Sequence, residues 1–260
     1  MPHKQVNGVS LYYEVHGEGE PLLLLHGLGS SVRDWERQIP VFSRYYQVIG
    51  IDMRGHGRSD KPPGPYTVSL FAQDTAALLR ALQLPPAHII GISMGGMIAF
   101  QLAVDTPELV RSLVIVNSGP ELIPKTWREK LMVWQRLFII RLLGMRRMGE
   151  FLAPRLFPRP DQAEERAELI ARWAENDKQA YLAAMRALIG WSVADHLDKI
   201  TCPVLVLAAD GDYTPVSDKE AYVARLPNAR LQVIADSRHA TPIDQTELFN
   251  TAVLQFLAQV

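Results

Sequence analysis

A chain of 260 residues can bury the core of one α/β domain carrying an insertion, and its 48% hydrophobic content excludes a disordered or fibrous polymer. A formal net charge of −1 removes any global electrostatic case for nucleic acid or strongly charged partners. The single cysteine, Cys202, cannot form an internal disulfide, which fits a reducing compartment, and the apolar run after it marks a buried structural thiol.

In chain order, Met1 to Gly8 lacks the apolar core of a signal peptide, and no later stretch reaches the ~18 apolar residues of a membrane span, so a cytoplasmic protein is expected. Gly8 to Val15 alternates apolar and polar residues and predicts an antiparallel edge strand. Pro21 to Leu25, Val48 to Ile51, His88 to Ile92, Leu113 to Val116 and Val204 to Leu207 are apolar runs too short for helices, and they read as buried strands. Ala229 to Ile234 reads as the last strand. Amphipathic stretches at Val32 to Phe42, Val68 to Leu82, Met94 to Val104, Ser217 to Arg225 and Thr246 to Leu257 predict helices. This alternation implies an α/β fold, with a mostly parallel twisted sheet of about seven or eight strands flanked by helices.

The rhythm breaks between Gly119 and Leu197, where strand signals give way to helical sequence. The expected organisation is a core formed by 1–118 and 198–260, with a helical cap at 119–197. From Lys125 to Arg159 the cap holds nine Lys and Arg against two Glu. The simpler reading is a solvated basic face over an apolar underside. The sharper one is a cap that meets an anionic or amphiphilic substrate, or makes weak contact with a membrane surface, while Met132, Trp134, Phe138, Ile139 and Met145 line an apolar channel. Met132 and Phe138 are thereby candidate substrate-binding residues.

Gly91-Ile92-Ser93-Met94-Gly95 falls where a predicted strand turns into a predicted helix. The pentapeptide pattern arises by chance in roughly one chain of this length in ten, so its strand-turn-helix setting carries the argument. A serine on so tight a turn is pushed toward positive φ and needs small neighbours two residues either side, which Gly91 and Gly95 supply. Ser93 is the candidate nucleophile, and free N–H groups opening the next helix suit the oxyanion of an acyl intermediate. Ligands of open α/β sheets bind beyond the carboxyl ends of the strands. At those ends lie His26-Gly27-Leu28-Gly29, whose glycines allow close backbone approach with Gly27 as a substrate-binding candidate, then the aspartates Asp210 and Asp212, and then His239.

These motifs resemble the α/β-hydrolase fold family along essentially the whole chain, in the branch of small capped esterases, enol-lactone hydrolases and cofactor-free perhydrolases. The order serine, aspartate, histidine resembles that family's triad, His26-Gly27 its oxyanion loop, and Asp52 to Ser59 its D-x-R-G-x-G-x-S segment. The resemblance implies Ser93 as nucleophile, His239 as base, and backbone N–H groups of Leu28 and Met94 as oxyanion donors. The family pattern G-x-x-D-x-x-x-P aligns Asp212 with the acid, although Ala209 replaces the glycine and Pro215 arrives one residue early. Asp210 then braces the loop. The implied activity is hydrolysis of small to medium, largely apolar carboxylic esters through an acyl-enzyme, by a monomer or homodimer.

No cofactor is called for, and no metal, since the chain has no H-E-x-x-H and one cysteine. A dinucleotide fingerprint beginning at Gly27 fails because Val32 occupies its third glycine position. Lactonase, C–C hydrolase and perhydrolase chemistry use the same trio, and a hydrolase-like ligand sensor is the non-enzymatic alternative. A serine at position 93 argues against the branches that use an aspartate nucleophile.

Overall fold

The computed structural model describes residues 2–260. Eight strands form one sheet: β1 (His3–Val6), β2 (Val9–His16), β3 (Pro21–Leu25), β4 (Gln47–Ile51), β5 (Ala87–Ile92), β6 (Val110–Val116), β7 (Val204–Ala209) and β8 (Ala229–Ile234). Their spatial order is β1-β2-β4-β3-β5-β6-β7-β8, antiparallel for the first two pairings and parallel from β4 onward. The alternating segment near the N-terminus is therefore not the edge. It is β2, and β1 pairs outside it, with Lys4 opposite Leu11.

Strands β3, β5 and β7 are buried throughout because both sheet faces are covered. The period of two splits their side chains between two cores. Leu23, Leu25, Ile49 and Ile89 face α2 (Val68–Ala81) and α3 (Met94–Asp105), while Leu22, Leu24, Val48 and Ile90 join a cluster with Trp35, Phe42 and Phe249. The second cluster draws on the short α1 (Ile39–Phe42) and on α9 (Thr246–Leu257), which follows the short α8 (Thr241–Asp244). Val32 to Phe42, expected as one helix, is a 3-10 turn at Val32–Trp35 followed by α1. The turn is tied off by the buried Asp52, whose Oδ1 accepts the Val32 N–H at 2.7 Å.

Between β6 and β7 the chain forms α4 (Trp127–Leu156), α5 (Ala163–Ala174) and α6 (Lys178–Leu188), and α7 (Val216–Val223) follows β7. The ends of this helical insertion are stitched together by Leu122 N–H to Trp191 O at 2.9 Å and Val193 N–H to Pro120 O at 2.8 Å. Gly144, with φ of 85°, breaks α4 into two segments. Its N-terminus carries a capping box between Thr126 and Glu129.

Candidate active site

Ser93 stands at the N-cap of α3 with φ 53° and ψ −116°, the left-handed strain that a sharp strand-to-helix turn imposes. Its two glycine neighbours are required sterically: a Cβ on Gly91 would collide with the Gly95 carbonyl, and one on Gly95 with the Leu25 carbonyl. The turn is pinned by Ser93 N–H to Val116 O at 3.0 Å and by the Ser118 hydroxyl donating to Ser93 O at 2.7 Å. Gly27 lies directly across, since a Cβ there would come 3.7 Å from that of Ser93.

The loop bearing Gly27 and Leu28 is set from below by His26, which is fully buried. Met53 N–H donates to His26 Nε2 at 3.0 Å, so the ring proton is on Nδ1 and donates to Gly27 O at 2.7 Å. Burial pushes His26 down to about 4, opposed by the Gly27 hydrogen bond, which keeps the ring neutral as this arrangement requires. His56, 5.1 Å away between ring centroids, is pushed down to about 3 by burial and then by His26. Among the described residues, neither Leu28 N–H nor Met94 N–H donates to a protein acceptor outside regular helix and strand ladders. From above, the Tyr181 and Trp173 rings of the insertion pack on Gly29, and Asn176 Nδ2 donates to Gly29 O at 2.8 Å.

His239 and Asp212 meet directly, with Nδ1 to Oδ1 at 2.6 Å. The other carboxylate oxygen, Oδ2, accepts from Lys219 Nζ at 2.6 Å and from the Thr214 hydroxyl at 3.0 Å. The Asp212 and Lys219 side chains are each 1% exposed. Burial would raise the Asp212 carboxyl, but the His239 imidazole and the Lys219 ammonium outweigh it and hold the group well below the usual carboxylate range. Tyr213 lies against His239 at 4.6 Å between centroids. Asp210 does different work: its two oxygens accept the Asp236 and Ser237 N–H groups at 2.9 and 3.0 Å.

Asn117, at the end of β6, joins these loops. Its Oδ1 accepts Ala209 N–H at 2.8 Å, and its Nδ2 donates to His239 O at 2.9 Å and Thr241 Oγ1 at 2.8 Å. Neither Asn117 nor Lys219 was legible as part of the site. The one available signal was a polar residue closing an apolar strand at the sheet's functional edge, and a lysine within an amphipathic helix carries no mark of full burial.

The structure thus brings Ser93, Gly27, Leu28 and Met94 together around one turn, and pairs His239 with Asp212 at the same edge of the sheet. Met132 and Phe138, expected to line an apolar channel, are both solvent-exposed. Met132 is 61% and Phe138 45% exposed on α4, and Phe138 stacks on Trp134 at 5.1 Å. Ile140, Met145, Met148 and Leu152 of the same helix are buried. Both Asp52 oxygens are taken by backbone N–H groups of Val32 and Arg58, each at 2.7 Å, so this carboxylate braces a loop instead of offering itself to a ribose. Among the described residues no group of three or more His, Cys, Asp or Glu side chains converges as a metal site.

A family model described as alpha/beta hydrolase fold matches residues 20–161. The chain belongs to the α/β-hydrolase fold family. It is 31% identical over 253 residues to 3-oxoadipate enol-lactonase 2 of Acinetobacter baylyi, covering 94% of this chain and 92% of that protein. A putative carbamate hydrolase of Caulobacter segnis is 32% identical over 257 residues, covering 94% and 95%. Among solved structures, the enol-lactonase from Burkholderia xenovorans superposes with a TM-score of 0.91 at 25% identity, covering 99% of this chain and all of that one. Enol-lactonase and carbamate hydrolase are both names of hydrolases, and hydrolysis is the activity class of this α/β-hydrolase.

Proposed function

We propose that this α/β-hydrolase is a serine hydrolase of the carboxylesterase type, cleaving small to medium, largely apolar carboxylic esters through an acyl-enzyme. The observation that carries this reading is the 2.6 Å His239–Asp212 contact at the same sheet edge as the strained Ser93 turn. With Asp212 accepting from Nδ1–H, the imidazole presents Nε2 as a base. Ser93 Oγ attacks the ester carbonyl carbon as its proton passes to Nε2, and the carbonyl oxygen becomes an oxyanion held by the Leu28 and Met94 N–H groups. Collapse expels the alkoxide, which takes the proton from His239, and water activated by the same imidazole then releases the acid. The insertion acts as a cap over this site, since Tyr181, Trp173 and Asn176 pack on the oxyanion loop.

A second reading, hydrolysis of a ring ester, is favoured by the relatives named enol-lactonase, which cover nearly the full chain. It uses the same steps, with the leaving alkoxide tethered to the acyl group. Initial rates on p-nitrophenyl acetate, butyrate and octanoate and on a simple lactone, for wild type and a folded Ser93→Ala variant, test both. Turnover that falls by at least about 10⁴-fold in Ser93→Ala is expected. A folded Ser93→Ala that keeps the wild-type rate refutes serine acyl transfer, and a lactone rate far above every open-chain ester selects the second reading.

A further inference from the structure

The first segment of α4 has two unlike faces. Its inner face carries Ile140, fully buried, and Arg136, whose Nε donates to the buried Tyr181 hydroxyl at 2.8 Å. Trp127, Leu131, Trp134, Phe138 and Leu142 recur at spacings of three and four, so they form one stripe along the opposite face. All five are exposed, from 45% for Phe138 to 69% for Trp127. The stripe runs for about 24 Å of helix and stops at Gly144. Beyond that break Met145, Met148 and Leu152 are buried, so the outward apolar face belongs to the first segment alone.

Helical spacing places Lys130 and Arg141 along one border of the stripe and Arg128 along the other, all three exposed. Among the described residues none of the three forms an ion pair with an acidic side chain. The one acid of this segment, Glu129, is turned back to the helix start, where it accepts the Lys125 and Thr126 N–H groups. The rim is therefore cationic on both sides. A second copy docking through the same stripe in a two-fold contact would set these cations against their own copies, which opposes that pairing.

We propose that the outer face of α4 is a docking surface for an anionic lipid bilayer, with the helix lying in the plane of the interface. An apolar stripe bearing two tryptophans and bordered by Lys and Arg is the pattern that buries its apolar side at the headgroup boundary while the cations meet anionic headgroups. Among the described residues no helix is long and apolar enough to cross a membrane, so the contact is peripheral. The orientation keeps the Arg136 face, and the Gly27–Gly29 loop beneath the insertion, turned toward the body of the protein.

The test uses the full chain, co-sedimented with vesicles of phosphatidylcholine containing one quarter phosphatidylglycerol and with vesicles of phosphatidylcholine alone. Variants Lys130→Gln/Arg141→Gln and Trp127→Ser/Trp134→Ser are compared with wild type, all at exposed positions. Binding to the anionic vesicles at least tenfold tighter than to the neutral ones is expected, with a blue-shifted tryptophan emission and a loss on raising salt from about 0.05 to 0.5 M. Each removed cation should cost about fivefold in partitioning, so the charge variant loses roughly 25-fold, and the tryptophan variant loses both binding and blue shift. Failure to sediment with anionic vesicles, equal binding to both compositions, or variants that bind as wild type does would overturn the proposal. So would sedimentation velocity without lipid showing a dimer that the tryptophan variant dissolves.

Discussion

The two buried imidazoles under the oxyanion loop make a quantitative prediction about pH. His26 and His56 are held neutral in the fold at about 4 and about 3, against 6.5 for an unfolded histidine. Because the folded values lie below the unfolded one, the unfolded chain binds protons first as pH falls, and stability is fully present above pH 6.5 and drains away below it. At pH 5 both rings are still neutral in the fold, so the loss from pH 7.5 is set by the unfolded state and amounts to about 2 kcal/mol for each histidine. Asp34 works the other way: burial pushes it up to about 6, and its protonation in the same window returns on the order of 1 kcal/mol. The depressed carboxyl of Asp212 contributes only at lower pH, because the unfolded aspartate is still ionised at pH 5. Burial also pushes the His88 imidazole down, which adds a further loss in the same window, so urea unfolding followed by tryptophan fluorescence should give a free energy smaller by at least about 3 kcal/mol at pH 5 than at pH 7.5. The sharper measurement is the same difference in His56→Phe, chosen because His56 Nε2 is buried without a hydrogen-bond partner among the described residues while Nδ1 faces the Arg54 carbonyl. That variant should lose about 2 kcal/mol of the pH dependence whatever its absolute stability. If wild type changes by less than about 1 kcal/mol, or if His56→Phe keeps the full wild-type pH dependence, the neutral buried pair is refuted.

Asp212→Asn should lower kcat by about 10³ to 10⁴, since the amide cannot hold His239 in the required tautomer, whereas Asp210→Asn should change kcat by less than about tenfold while lowering the unfolding free energy by about 1–3 kcal/mol. Parallel steady-state kinetics and urea titration separate the two, and a reversed order of activities would reassign the acid. Gly95→Ala should destabilise by more than about 3 kcal/mol or fail to fold, because the added methyl meets the backbone carbonyl of Leu25 and no side chain can yield; a near-native urea midpoint would contradict this. Lys219→Met leaves a carboxylate 1% exposed without its ammonium, so a loss of about 3–5 kcal/mol is expected, and the double variant Lys219→Met/Asp212→Asn should be more stable than the two single losses add up to. Additive losses in that cycle would show that the two side chains are not coupled.

What could be read from the sequence was local. The bounds of β3, β8 and α9 follow from an apolar run, an alternation and an amphipathic stretch that each end at a turn, and the Ser93 turn follows from two glycines at fixed offsets. What escaped was decided by distant partners. His3–Val6 is short and mostly polar, and it becomes a strand only because β2 offers it an unpaired edge. Val32 to Phe42 has helical periodicity, yet the 20-residue reach from Val32 to the Asp52 carboxylate, with Pro40 inside the stretch, breaks it into a turn and a short helix. Phe138 has the composition of a pocket wall, but its place on the outward face of α4 is set by which side of that helix Arg136 and Ile140 commit to the protein.

The pair Asp210 and Asp212 shows the same division most clearly. Two aspartates two residues apart on a loop are the same chemical group, and the sequence separates them only through the family pattern G-x-x-D-x-x-x-P, which this loop matches without its glycine and with its proline one residue early. The fold separates them by giving each a different kind of partner. Asp210 accepts two backbone N–H groups from the segment leading into His239, which fixes the distance between the loops after β7 and β8. Asp212 accepts from the imidazole itself and, on its other oxygen, from Lys219 and Thr214, which fixes how the carboxylate is turned. Asn117 closes the arrangement from β6 by holding both Ala209 and the His239 carbonyl. A carboxylate that accepts backbone N–H groups sets the spacing of two loops and leaves the ring tautomer untouched, and a carboxylate facing the imidazole can select that tautomer only if its loop is already in place. The two aspartates are therefore complementary, and loss of Asp210 should loosen the site without abolishing its chemistry, while loss of Asp212 should abolish the chemistry in a site that still assembles.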